Sequence, residues 1–324
     1  MTFHFTPFLK LVFILSIFVR STFAFPVLLP FHHHHDTSSK PTTSVNNDFV
    51  SSKLLRPALF SRVVYCAKKT VTKWDCGGPC EAIGPDIHVI TWGGNDGSTP
   101  SYLIAHDPST NTIVVAHQGT NSKNILSIFN DVDILHVGLD KSIFKQSAKK
   151  VEVHQGFQNT FRETSTIVLT EVKKALAQYK SQSVLLTGHS LGAAVAVLDA
   201  VMLHENLDPS VKQSVVVFGL PRMGNEHWAN FVDSTIGSEF FRVSDRQDPV
   251  VDLPPRFSDY YHPSGEIHIQ DVDKTGQATK IVACPGQENK HCAVGNSIFK
   301  EHISHHLGPY FNDISFGTDA CKMS

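Results

Sequence analysis

Five residues, Gly188-His189-Ser190-Leu191-Gly192, carry the strongest chemical signal in the chain. They follow the apolar run Val184 to Thr187 and lead into a stretch containing Ala193, Ala194 and Ala196. A serine in the pattern G-x-S-x-G between a strand and a helix sits on a sharp turn that presents its hydroxyl at the edge of a sheet. The helix that follows aims its free N–H groups and the positive end of its dipole at the same spot, so developing negative charge is stabilised there. That combination suits attack on a carbonyl carbon. The bland alternative is an ordinary strand-to-helix turn; the strand before and the helix after favour the catalytic reading.

A serine nucleophile needs a base, and the base needs an acid to orient it. Both are expected later in the chain, in the order Ser, Asp, His. After the strand-like run Phe240 to Val243, three aspartates compete: Asp245, Asp248 and Asp252. Asp248 is best placed, because Pro249 and the apolar pair Val250-Val251 would hold its carboxylate in a fixed loop. Spacing alone leaves the choice open. Six histidines compete as the base: His262, His268, His291, His302, His305 and His306. His306 precedes Leu307 in a segment ending in Tyr310 and Phe311, which can pack and fix a ring orientation for proton transfer.

The oxyanion of a tetrahedral intermediate would take the N–H of Leu191 and a second donor at the end of an earlier strand. Ile113 to Ala116 leads to His117, Gln118, Gly119 and Thr120, and Thr120 offers both a backbone N–H and a hydroxyl. Beyond it, Ile125, Ile128, Phe129 and Val132 recur at i, i+3, i+4 and i+7, which predicts a helix with one apolar face. Beside an oxyanion hole such a helix would serve as a lid that meets acyl chains; a core-packing helix is the competing expectation.

These groups need a rigid frame. Ile113 to Ala116, Val184 to Thr187, Val215 to Phe218 and Phe240 to Val243 read as buried strands. Helical patterns at Thr166 to Lys180 and Leu191 to Asn206 alternate with them. Alternation of this kind predicts an α/β fold with a mostly parallel central sheet covered by helices on both faces, and a strand-elbow-helix nucleophile places it in the α/β-hydrolase fold. No mid-chain linker or internal repeat appears, so a single domain is expected over residues 53–324.

Residues 1–24 are expected to be a signal peptide: Lys10 precedes the apolar run Leu11 to Val19, and Ser21, Thr22 and Ala24 follow. The run is shorter than the roughly 20 apolar residues of a membrane-spanning helix, so export without a membrane anchor is expected. Residues 25–52 read as a polar leader or pro-segment. The run His32 to His35 lies among proline, serine and threonine without nearby acidic or cysteine ligands, which favours a solvated leader over a metal site. A formal net charge of -2 with acids and bases evenly mixed argues against a nucleic-acid partner. The exported setting favours disulfides for the six cysteines. Spacing pairs Cys76 with Cys80 and Cys284 with Cys292, leaving Cys66 for Cys321; a zinc site is the rival, weakened by the lack of C-x-x-C spacing.

The longer motifs carry a resemblance. Gly188 to Ala194, Phe218-Gly219-Leu220-Pro221-Arg222-Met223-Gly224-Asn225, Asp248-Pro249-Val250 with Leu253-Pro254-Pro255, and His306-Leu307 before Tyr310-Phe311 together resemble the class 3 lipases of filamentous fungi. That family includes mono- and diacylglycerol lipases and feruloyl esterases, and the likeness spans Tyr65 to Cys321. It implies Ser190, Asp248 and His306 as the catalytic triad, Thr120 and Leu191 at the oxyanion positions, a lid within Asn121 to Val137, and a disulfide from Cys66 to Cys321. Gly119-Thr120 stands where the best-known members have glycine-serine, the lid stretch has no tryptophan, and Gly308-Pro309 lengthens the segment after the histidine.

The resulting expectation is a secreted, extracellular serine esterase that hydrolyses acylglycerol esters, needs no metal or organic cofactor, and meets its lipid substrate at an oil–water interface. The alternatives are a feruloyl or other cell-wall esterase on the same scaffold, which would need a more open and polar pocket, and an inactive binding protein that kept the fold.

Overall fold

Valine, isoleucine and leucine in short runs become the middle of a sheet because both faces of those strands are covered. The computed structural model describes residues 38–95, 99–120, 134–145, 149–296 and 302–321. The expected signal peptide, the leader through residue 37, and the lid residues Ile125, Ile128 and Phe129 lie outside the described residues.

The strands are β1 (Thr43–Ser44), β2 (His88–Gly93), β3 (Tyr102–Asp107), β4 (Thr112–His117), β5 (His136–Gly138), β6 (Glu152–His154), β7 (Ser183–His189), β8 (Lys212–Phe218), β9 (Phe240–Asp245), β10 (Glu266–Val272) and β11 (Ala278–Cys284). Nine of them form one sheet in the order β1-β11-β10-β9-β8-β7-β4-β3-β2, and β5 and β6 form a small ribbon. The parallel pairings join β4, β7, β8, β9 and β10 at the centre. Antiparallel pairings extend the sheet through β3 and β2 on one side and β11 and β1 on the other. The sheet is therefore mixed, with a parallel centre; the short connections β2–β3, β3–β4 and β10–β11 permit only antiparallel pairing, while β1 joins β11 from far along the chain.

Two apolar layers cover the sheet. Ile113 and Val115 of β4, Val184 and Leu186 of β7, and Val215 and Val217 of β8 face the layer that includes helices α2 (Gln155–Tyr179) and α3 (Leu191–Asn206). Val114, Ala116, Val216 and Phe218 point the other way, toward helix α1 (Leu55–Val63) with Phe60 and Val63. This is the period-two alternation of a strand covered on both sides. Helix α2 buries Phe157, Phe161, Val168, Val172 and Leu176 and opens on the side chain of His154, which accepts the Gly156 N–H. Helix α3 is buried from Gly192 to Leu203, so it shows no polar stripe. Full burial of one such valine or leucine contributes about 1.5–3 kcal/mol.

Three disulfides join Cys66 to Cys321, Cys76 to Cys80 and Cys284 to Cys292. The packed unit starts earlier than the expected boundary at Lys53. Ser38 bridges Asn289, Thr43 pairs with Ala283, and Asn46 accepts the Phe49 N–H as a helix cap. These polar residues join the fold through backbone pairing and capping, which composition does not register. Among the described residues no helix is long and apolar enough to cross a membrane.

Candidate active site

Ser190 stands between β7 and α3, with φ 59° and ψ −128°. A non-glycine residue rarely occupies that region, and such strain persists only where its surroundings enforce it. Here the Ser190 N–H donates to Phe218 O at 3.0 Å, while its carbonyl accepts the N–H groups of Ala193 and Ala194. The side chain is fully buried, and Oγ has no hydrogen-bond partner among the described residues.

His306 lies in the short helix α4 (Ile303–Leu307) and is also fully buried. Its Nδ1 is 2.8 Å from Asp248 Oδ2. The other oxygen of Asp248 accepts the Val250 N–H at 2.8 Å, so the apolar pair after Pro249 does fix this carboxylate. A carboxylate can only accept, which assigns the imidazole proton to Nδ1 and leaves Nε2 with a lone pair. That Nε2 has no partner among the described residues. An orphaned buried acceptor and an orphaned buried hydroxyl in one loop cluster are the equipment for proton transfer from serine to histidine.

The His306 backbone is pinned from two sides. His189 Nε2 lies 2.8 Å from the His306 carbonyl, and Tyr310 Oη donates to the same oxygen at 3.2 Å. Tyr65 Oη accepts the Gly119 N–H at 3.0 Å and donates to His189 Nδ1 at 2.7 Å, so His189 keeps its proton on Nε2. Burial, and then the nearby His306, push the His189 ring well below the ordinary imidazole value. It is a neutral connector between the strand and the histidine loop.

The competitors named from spacing are engaged elsewhere. Asp245 is bound by Arg246 at 2.9 and 2.8 Å, and burial together with Asp248 raises its carboxyl to about 7. Asp252 pairs with Arg222. His262 Nε2 donates to Val251 O, His268 Nδ1 meets Ser244 Oγ, and His305 Nδ1 accepts the Gln247 N–H. His291 and His302 are exposed. Spacing could not separate these residues because loop turns, rather than periodicity, decide which side chain faces inward.

Leu191 is the first residue of α3, where helix N–H groups lack an intrahelical acceptor. Thr120 follows Gly119, which lies against Ser190: a Cβ built on Gly119 would fall 2.8 Å from Ser190 Cβ. Gln118 anchors this loop, its N–H donating to Ser101 O at 2.8 Å and its Oε1 accepting the Ser101 N–H at 3.0 Å. Sequence reading missed Tyr65, for which no local signal exists. It also missed the buried contact between His117 and Asp199, although both flank recognised motifs.

Among the described residues one group, Glu266 with Cys284 and Cys292, has atoms close enough for a metal. The two cysteines are joined in a disulfide, and Glu266 is bound by Arg242, Ser244 and the Ala293 N–H. Their lone pairs and charges are already committed.

Fold and site together define a serine hydrolase of the α/β-hydrolase class. Residues 114–258 match the family described as Lipase (class 3). A secreted mono- and diacylglycerol lipase of Malassezia restricta is 35% identical over 230 residues, covering 71% of this chain and 70% of that protein. The crystal structure of a lipase from Rhizopus microsporus var. chinensis superposes with a TM-score of 0.75 at 27% identity, covering 88% of this chain and 93% of that one. A triacylglycerol lipase whose catalytic centre is a serine protease triad superposes at 0.72 with 26% identity, covering 87% of this chain and 100% of that one. The chain belongs to the class 3 lipase family.

Proposed function

We propose that this protein is a secreted lipase that cleaves acylglycerol esters through an acyl-enzyme on Ser190, with His306 as the base, Asp248 as its orienting acid, and the N–H groups of Thr120 and Leu191 as the oxyanion hole. The observation that carries the reading is the buried Asp248–His306 pair, whose free Nε2 shares a loop cluster with a serine held in a strained elbow. In the first step Ser190 Oγ bonds to the ester carbonyl carbon while its proton passes to His306 Nε2. The resulting oxyanion lies between the two N–H donors. The carbon–oxygen bond to the alcohol then breaks, and His306 returns the proton to the departing alcohol. Water, deprotonated by His306, then attacks the acyl carbon; the bond to Ser190 Oγ breaks, His306 returns the proton to that oxygen, and the fatty acid leaves.

Acylglycerol as substrate is supported by the names of the relatives, secreted mono- and diacylglycerol lipases and triacylglycerol lipases. Action at an oil–water interface is supported by Ile134, Leu135 and Phe257, which are 41%, 49% and 88% exposed. Tyr260 Oη reaches Leu135 O, and His136 Nε2 reaches the carbonyl of Ser258, so these residues share one region of the surface. Water-exposed apolar side chains grouped in this way fit a lipid surface.

The test is hydrolysis of emulsified triolein, a diacylglycerol, a soluble short-chain ester and methyl ferulate by the parent and by Ser190→Ala. Acylglycerol is expected to dominate, with loss of more than about 10⁴-fold in the variant. Preference for methyl ferulate would move the protein to the cell-wall esterases, and full activity of Ser190→Ala would overturn the mechanism.

A further inference from the structure

His117 is the last residue of β4, three positions before Thr120. Its Nε2 lies 2.6 Å from Asp199 Oδ2, and the two side chains are 3% and 0% exposed. Asp199 sits in the middle of α3 between the fully buried Leu198 and Ala200, about 12 Å along the helix from Leu191. Its second oxygen, Oδ1, has no partner among the described residues. Burial pushes this carboxyl up against the opposing pull of His117. Tyr102, paired with His117 on the neighbouring strand with ring centroids 5.8 Å apart, adds no counter-charge.

Such a pair is a poor way to gain stability. Desolvation offsets the attraction in the interior, and an apolar pair of similar volume is often as stable or more so. An orphaned carboxylate oxygen weakens the case for stability further. The geometry supplies another use. A Cβ on Gly192, in the first turn of α3, would fall 2.4 Å from His117 O and 2.5 Å from Gln118 O, so the end of β4 lies directly on the start of that helix. The two proposed oxyanion donors belong to these two elements. An oxyanion hole works only if both donors lie about 2.7–3.1 Å from the developing charge, so sliding of one element on the other costs rate.

We infer that His117 and Asp199 are positioning residues for the oxyanion hole, locking the strand that leads to Thr120 onto the helix that begins with Leu191. The inference rests on the oxyanion roles proposed above. Neither residue touches substrate. The pair completes a set of three anchors on the loop: Asp199 on His117, Ser101 on Gln118, and Tyr65 on the Gly119 N–H.

The test replaces both partners, His117→Phe with Asp199→Leu, so that no buried charge is left alone. Two readouts are normalised to sites titrated with an organophosphonate: kcat and KM on a soluble short-chain ester, and inhibition by an alkylboronic acid. The boronic acid takes the Ser190 oxygen and becomes a tetrahedral anion in the oxyanion hole. The expected result is a folded protein with kcat reduced about tenfold or more, KM within about twofold, and boronate affinity weakened by the same factor as kcat/KM. Unchanged kcat per titrated site would overturn the inference. Should the double variant not fold, Asp199→Asn decides. It keeps an acceptor for His117 without the charge, so retention of activity to within about threefold is expected, and a tenfold loss would overturn positioning by this hydrogen bond. Activity of Ser190→Ala and boronate inhibition of the parent are measured alongside, so failure of the serine mechanism is distinguishable from failure of the pair.

Discussion

At Gly219 the backbone turns with φ of 54°, and a Cβ placed there would fall 2.7 Å from His306 Cε1 and 2.8 Å from its Nδ1. Even alanine must therefore both adopt the left-handed region and displace the ring that Asp248 holds. A shift near 1 Å in a reacting group can cost about 10²-fold, so Gly219→Ala is expected to lower kcat by that order while the protein still folds, as circular dichroism and ester hydrolysis would show. The two nearby carboxylates separate by the same logic. In Asp248→Asn the amide oxygen stays on the Val250 N–H and the NH2 faces Nδ1, which reverses the His306 tautomer, and kcat is expected to fall by about 10⁴-fold. Asp245 instead bonds the half-buried Arg246, so Asp245→Asn is expected to stay within about tenfold of the parent. Equal losses in the two variants, measured as kcat on a soluble ester, would refute the division of roles.

Between elements, the longest covalent link is Cys66–Cys321, which spans 255 positions and ties the chain just after α1 to the carboxyl-terminal segment. That segment stacks Phe316 on His189 at 4.5 Å and sets Tyr310 against Phe218, so it backs the His306 loop. Loop-closure entropy assigns such a bridge about 5 kcal/mol, against about 2 kcal/mol for Cys76–Cys80 with its separation of 4. Replacing Cys66 and Cys321 by serine is expected to lower Tm by roughly 10 °C or more, and replacing Cys76 and Cys80 by less than half as much, in scanning calorimetry. The legibility of the sequence also divides by element. Strands β4, β7, β8 and β9 were readable because burial on both faces demands continuous β-branched and apolar runs. Strands β10 and β11 were not, since His268, Gln270, Thr279 and Lys280 interrupt the apolar pattern and the pairing carries register shifts. The first half of α2, Gln155 to Ser165, hides its helical stripe among glutamine, asparagine, threonine and arginine. For the site, the elbow was legible because strand, glycines and helix are all local. The choice among Asp245, Asp248 and Asp252 depended on how one loop turns; Pro249 and the apolar pair after it favoured Asp248 without deciding, and the family resemblance singled it out before the geometry was known.

The whole molecule carries an unusual load of buried neutral imidazoles. Burial drives His154 and His305 down to about 4, His268 below its ordinary value, and His189 and His262 well below it. Around His262, Arg242 and Arg222 add to the effect and Glu288 opposes it. A histidine whose folded pKa is depressed resists a proton that the unfolded chain accepts near 6.5, so unfolding takes up protons and stability falls as pH drops below that value. Glu288 has the same sense in a lower pH window. Its carboxyl is held down to about 2, chiefly by Arg222 against the cost of burial, so its contribution is present above 4.5 and is lost only as pH falls through 2. Between pH 6.5 and 4 the histidines set the trend, opposed by Asp245, whose raised carboxyl takes up its proton in the folded protein first and offsets about one of them. Each fully resisted proton gives a slope of about 1.4 kcal/mol per pH unit, and the fully buried His189 and His262 together predict roughly 3 kcal/mol per unit as the upper limit for those two. Thermal unfolding followed from pH 8 to pH 4 is expected to show a Tm nearly flat above pH 7 and falling steeply below 6. His262→Gln, which keeps a donor for Val251 O without a titrating ring, is expected to be less stable than the parent at pH 8 yet to lose less stability on acidification. A slope identical in parent and variant would mean that His262 takes up its proton in the folded protein, and that its burial does not keep it neutral.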